Sequence, residues 1–285
     1  MGQNALHSNN GSFNVAIGMN PLATNNGSDN IAIGYGGLYV NNGSANIAMG
    51  SVALYGNSGS YNLGIGYKTL YDSSGNGNIA IGSGAMYTTR LSNNNIVLGN
   101  NALRSSSRAT YNIVLGDEAF YTNSAGSYNL MLGYRAGYNI NGGSGIVVIG
   151  PNAGPSGTTA PPNTLWIANQ SGGTPLIYGN FATGYVGIGT TSATSKLTIA
   201  GSSSIISNTT GDIILKAASY TTVKSASGSA STLQIDTVDS ALSSTIRFSN
   251  STKTLFYMHT NQTSQRAIYI CFPSTIWVIG ILAGL

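Results

Sequence analysis

From Gly2 to Gly150 one phrase recurs ten times: Asn, aliphatic, small, aliphatic, Gly, then an Ala-Leu-like pair three residues on, then a polar turn. Its glycines stand at Gly2, Gly18, Gly34, Gly50, Gly66, Gly82, Gly99, Gly116, Gly133 and Gly150. The step is 16 residues as far as Gly82 and 17 residues beyond it. A fixed short period over half a chain predicts a solenoid, in which each unit buries its apolar face only against its neighbours. Most enzyme classes are excluded by that alone.

The unit is clearest from Asn30 to Ala45. Ile31 and Ile33 share one face and Ala32 takes the other, the two-residue period of a strand. Gly34 permits a bend, and Leu38 returns an apolar side chain on the next flank. Asn41-Asn42-Gly43-Ser44 is turn chemistry. Asn-Gly also signals a hairpin, but units this short and this alike favour parallel coils. Two aliphatic columns follow, one from Val15 and Ile31 to Val147, the other from Ile17 and Ile33 to Ile149. Together with Leu22, Leu38, Leu54, Leu70, Met86, Leu103 and Phe120 they are expected to fill the coil interior. The column between them is Ala16, Ala32, Ala48, Gly64 and Ala80, then Val97, Val114, Met131 and Val148. It enlarges where the period lengthens, and is expected to face other subunits, with a change of interchain packing near residue 90.

Composition fits a stack. Charged residues make up only 6% of the chain while 41% is hydrophobic and periodic, which argues against disorder. A residue fixed in the phrase recurs every ~4.8 Å, so a charged column would repel itself, whereas Asn, Ser and Tyr stack freely. Ten coils would span roughly 48 Å. So thin a coil has little interior, and association of several chains would supply it. The net charge of +4 comes from scattered residues with no Lys/Arg cluster, so nucleic acid is not an expected partner. Cys271 is the single cysteine and can form no intrachain disulfide. The first residues carry neither a basic nor an apolar leader region, which fits export by another route or an internal fragment with an added start.

Asn-Ile-Ala-Ile-Gly with its trailing Ala-Leu resembles the head repeat of trimeric autotransporter adhesins. It resembles at least as much the Asn-Ile-Ala-Ile-Gly-Tyr-x-Ala-Leu-Tyr arrays of bacteriophage tail fibres. The resemblance covers about residues 1–154 and implies a trimeric, left-handed parallel β-roll with one coil per repeat. A second stretch, from Asn163-Thr164-Leu165-Trp166-Ile167 through Gly184-Tyr185-Val186-Gly187-Ile188-Gly189 to Lys196-Leu197-Thr198-Ile199, is similar to a segment of phage fibre proteins that precedes a β-rich shaft. No coiled-coil heptads, membrane-anchor barrel or terminal chaperone is recognisable.

The expected organisation is all-β: a parallel β-roll or β-solenoid of 16–17-residue repeats over 1–154, trimeric, with a linker and fibre transition segment over 155–201. A β-rich shaft over 202–266 and an apolar segment over 267–285 complete it. Residues 151–162, rich in Pro, Gly and Thr, mark the first boundary. Short alternating runs at Leu165–Ala168, Val186–Ile188, Lys196–Ile199, Asp212–Leu215, Thr232–Ile235, Thr245–Phe248 and Thr254–Met258 predict strands. The uncharged stretch Ala267–Leu285 is long enough for a membrane span, yet Pro273-Ser274-Thr275 divides it better into two strands around a turn. Membrane contact by 267–285 is therefore the alternative that is not favoured.

Catalytic chemistry is not expected. Asp117 and Glu118 are adjacent and so face opposite ways on a strand. His7 and His259 have no partners at metal-ligand spacing, and no cofactor is expected. Gly184–Gly189 contains Gly-x-Gly without a following helix pattern and reads as a turn. Asn-Gly-Ser triplets at Asn10, Asn26 and Asn42 match glycosylation acceptors, as expected by chance in such a composition. The site residues singled out are Tyr39, Tyr55, Tyr71, Tyr87 and Tyr121, which share one repeat position, with Arg104 between the last two. Tyr61, Tyr111 and Tyr128 form a second set before the Asn. Aromatic ladders beside Asn and Ser suit glycan contact, and a Tyr ladder also stabilises a stack by itself. The expected function is a structural tail fibre of a virion, a rigid homotrimer that contacts other virion proteins and attaches to a host-surface glycan or receptor. A cell-surface adhesin or self-assembling extracellular filament is the alternative, and a fibre-borne depolymerase is disfavoured by the seven acidic residues.

Overall fold

The computed structural model describes residues 2–200 apart from Ser156 and Thr159, and the backbone of four strands between 244 and 280. The described residues are all strand and turn, without helix. Strands Val15–Ile17, Ile31–Ile33, Ile47–Met49, Leu63–Ile65, Ile79–Ile81, Ile96–Leu98, Ile113–Leu115, Leu130–Leu132 and Val147–Ile149 pair parallel, each with the same phrase position of the next. A second parallel sheet of six two-residue strands runs from Ser8–Asn9 to Thr88–Thr89. The repeats form a parallel β-solenoid.

The side chains that enter the core correct the expectation above. The middle column is the interior: Ala32 and Val114 are both 0% exposed. The two aliphatic columns point outward, with Val15 at 46%, Ile17 at 52% and Ile113 at 42% exposure. The Asn that opens every strand of this set but the last, where a buried Ile146 stands, sets this phase. Asn30, Asn46, Asn62, Asn78, Asn95 and Asn112 are buried, and by the two-residue period the small residue two places on lies on the same side. The inward Asn is held by its bonds up the stack. Asn46 donates its backbone N–H and Nδ2 to Oδ1 of Asn30, at 3.0 and 3.1 Å, and Nδ2 again to the Gly59 carbonyl at 2.9 Å. Counting aliphatics put the wrong face inside because it ignored a polar ladder that satisfies itself.

The Leu-like column fills the interior as expected, with Leu38, Leu54, Leu70, Met86, Leu103 and Phe120 all fully buried. These residues turn a corner at positive φ, from 45° at Leu103 to 51° at Phe120. A bulky residue there is uncommon and costs on the order of 1–2 kcal/mol. The corner persists because the Leu38 N–H donates to Ala53 O of the next coil at 3.0 Å while the side chain enters the core. The phrase glycine itself admits no replacement. Gly50 has φ 133°, and a Cβ on it would overlap the carbonyl of Gly66.

The change of period reshapes the cross-section. The extra residue lies in the turn after Thr89, since Thr88 and Thr89 still pair with Asp72 and Ser73 sixteen residues back, and the second sheet ends with that strand. Beyond it only isolated bridges remain on that side, such as Thr88 with Ser105 and Asn93 with Thr110. A wider coil needs more volume inside to keep native packing density, which accounts for Val97, Val114 and Met131 in place of alanine and Phe120 in place of leucine.

The sheet does not stop at residue 154. Thr164–Ile167 pairs parallel with Val147–Ile149 in the repeat register, so Trp166 follows Val148 into the interior and is only 7% exposed. Trp166 Nε1 donates to Thr164 Oγ1 at 3.1 Å, and its ring meets Tyr178 edge-on at 5.2 Å. Ile177–Asn180 and Tyr185–Ile188 then add antiparallel, and Leu197–Ile199 parallel. The reversal closes the stack with side chains unlike those of the repeat, as terminal units of solenoids require.

Residues 208–285 form a separate unit. Ser244–Ser249 pairs antiparallel with Thr254–Thr260, and Ala267–Phe272 with Thr275–Gly280, the two strands around a turn read from the sequence. The runs Asp212–Leu215 and Thr232–Ile235 lie outside the described residues. No described helix is long and apolar enough to cross a membrane.

Candidate functional site: an aromatic column on the solenoid flank

The tyrosines follow directly from the corner. Each stands one residue after the buried Leu, so its side chain leaves the coil at the same place on every rung. Tyr39 and Tyr55 stack at 4.9 Å between centroids and 2° between planes, Tyr55 and Tyr71 at 5.2 Å and 4°, and Tyr71 and Tyr87 at 5.3 Å and 29°. Arg104 does not break the column. Its guanidinium carbon lies 5.1 Å from the Tyr87 centroid and 5.7 Å from that of Tyr121, and Nη1 donates to the Tyr121 hydroxyl at 3.1 Å. Tyr121 stacks on Tyr138 at 5.1 Å, and Arg135 lies 5.1 Å from the Tyr138 centroid. Tyr138 belongs to the column as well, at the period of 17 residues from Tyr121, although Gly137 and not a Leu-like residue precedes it.

This geometry decides what the column offers. Ring faces within it are covered by the rungs above and below, so the tyrosines present edges and hydroxyls to solvent. Burial pushes the Tyr55 hydroxyl up from its ordinary value, and the flanking Tyr39 and Tyr71 add to the shift. It remains a neutral donor and acceptor at physiological pH. The second tyrosine set is only partly brought together. Tyr111 and Tyr128 stack at 5.2 Å, while Tyr61 stands apart because Gly77 and Asn94 occupy the intervening rungs.

The remaining candidates are held by structural contacts. Asp117 accepts from Asn100 N at 2.8 Å and Nδ2 at 3.2 Å, and Glu118 accepts from Arg135 Nε at 2.6 Å. His7 is exposed beside Ser8 Oγ. Gly184 donates to Asn180 O at 2.8 Å in the turn between two antiparallel strands. Among the described residues no group of three His, Cys, Asp or Glu side chains could hold a metal ion.

Comparisons with protein-family models, with curated proteins and with solved structures give no match in any of the three.

Proposed function

We propose that the chain is a structural fibre protein, a trimeric viral tail-fibre rod that attaches to a host surface. The observation that carries this is the outward double column of aliphatics on a coil whose polar groups are satisfied along its own stack. From Val15 and Ile17 through Ile31, Ile33, Ile47 and Met49 the columns recur on nine rungs to Val147 and Ile149, an apolar strip roughly 40 Å long. Single exposed aliphatics are ordinary, but a continuous strip of this kind marks an association surface. Side-by-side packing with rungs in register buries the whole strip, and a cyclic arrangement closes it about one axis. The number three comes from the resemblance to phage fibres and autotransporter heads. Low charge on the strip and a stiff repeating coil suit a rod that carries an attachment surface away from a virion.

Sedimentation velocity of the full chain tests this. The expected species has three times the 29.2 kDa chain mass, and Ile47→Ser with Ile79→Ser should return it towards one chain mass. A monomer at micromolar concentration, or a trimer indifferent to those substitutions, refutes the assembly. Continuous filaments in electron micrographs would instead identify a self-assembling extracellular fibre.

A further inference from the structure

Where the period changes, the aromatic column borders a groove of about 190 Å³. Gly84 lies at the position where the rungs on either side carry Lys68 and Asn101, and the missing side chain opens the space. Two cations flank Tyr87 across it. Lys68 Nζ is 5.9 Å from the Tyr87 centroid and 5.2 Å from that of Tyr67, while the Arg104 guanidinium carbon is 5.1 Å from Tyr87. Hydrogen bonding with Tyr67 pushes the Lys68 ammonium above its ordinary value, so it stays charged.

Neither cation is neutralised. Among the described residues the ion pairs are Arg90 with Asp72 and Arg135 with Glu118. In a chain where 6% of residues are charged, two unpaired cations around one groove are a local departure from the rule that keeps charge off the stack. The groove also holds the amide of Asn101, a donor and acceptor suited to hydroxyls. No residue of the aliphatic columns lines it, so the groove lies outside the strip that the proposed assembly buries.

We propose that this groove binds one acidic sugar residue of a surface polysaccharide, with Lys68 and Arg104 on its carboxylate or sulfate and Asn101 on its hydroxyls. This names the ligand class of the attachment surface and rests on that reading of the rod. Two isolated cations match a single anionic group, whereas nucleic acid would need a basic track along a backbone.

Isothermal titration of the full chain with polygalacturonate, dextran sulfate and neutral dextran tests the proposal. One or both acidic polymers should bind, and whichever does identifies carboxylate or sulfate; dextran should not. Lys68→Asn and Arg104→Tyr take residues found at the same positions of other coils (Asn20 and Asn101, Tyr87 and Tyr121), so the double variant keeps the fold. Gly84→Asn fills the groove without changing charge, and the stacking of Asn4 on Asn20, 3.0 Å from Nδ2 to Oδ1, gives the added side chain a precedent. Each should weaken acidic-polymer binding at least tenfold, while Arg108→Gln, which removes an exposed charge elsewhere, should not. Equal binding of dextran, no binding of either acidic polymer, or full binding by Gly84→Asn overturns the proposal. Sedimentation of the same samples shows separately whether the rod has assembled.

Discussion

Replacing Ser73 by Asn should stabilise the solenoid by about 1–2 kcal/mol, through two hydrogen bonds that the present sequence forgoes. On the flank of the second sheet, Asn25, Asn41 and Asn57 form a buried ladder. Asn41 Nδ2 donates to Asn25 Oδ1 and to Gly43 O, both at 2.7 Å, and Asn57 Nδ2 donates to Asn41 Oδ1 at 2.8 Å and Gly59 O at 2.7 Å. The next rung carries Ser73 in the same register, and its hydroxyl is too short to continue the pattern. Asn57 Oδ1 and Ser73 Oγ are consequently buried without partners. An unsatisfied buried polar group costs ~1–3 kcal/mol. Asn at 73 would present Nδ2 to Asn57 Oδ1 and to Gly75 O, removing both orphans. It creates one, its own Oδ1, because Thr89 Oγ1 already donates to Met86 O at 3.0 Å. The net gain corresponds to about 2–8 °C in Tm for a domain of this size. Thermal unfolding followed by far-UV circular dichroism measures it. The double-mutant cycle with Asn57→Ala supplies the control, since the share of the gain that comes from Asn57 Oδ1 should be lost when that acceptor is gone, leaving only the bond to Gly75 O. An unchanged or lower Tm for Ser73→Asn, or a gain undiminished by Asn57→Ala, refutes the reasoning.

Gly50→Ala should cost about 3 kcal/mol or more, because it combines a φ open only to glycine with a clash against the Gly66 carbonyl, and denaturant titration should show it. Ala32→Val and Val114→Ala should both destabilise, the first by ~1–3 kcal/mol through overpacking of a narrow coil and the second through a cavity in a wide one. Equal tolerance of both would show that the two coil types have the same internal volume. Trp166→Ala should expose the end of the stack, so that hydrogen exchange accelerates at Val147–Ile149 and Thr164–Ile167 while Ile31–Ile33 keeps its protection.

The repeat alone determined that the chain is a parallel solenoid and where its rungs lie. Gly18 and its equivalents must stand where a Cβ would strike the next coil, and a fixed spacing is what such a contact imposes. The Leu corner, the polar turn and the lengthened period after Gly82 were also legible, because each depends on residues close in sequence. The aromatic column was nearly so, since its members share one phrase position; only Tyr138 and the continuity through Arg104 were missed. The strand at Thr164–Ile167 was legible from the alternation of Leu165, Trp166 and Ile167, but its place as a further rung was not, because Thr replaces Asn and Ala168 replaces Gly. Which face of the strand is interior could not be read from hydrophobicity, which favours the larger aliphatics. Tertiary structure decided it through the Asn30–Asn46–Asn62 ladder, whose bonds join residues 16 apart and exist only once the coils are stacked. A buried amide that loses its partners costs more than an exposed isoleucine, so the polar ladder fixed the phase and turned the aliphatics outward.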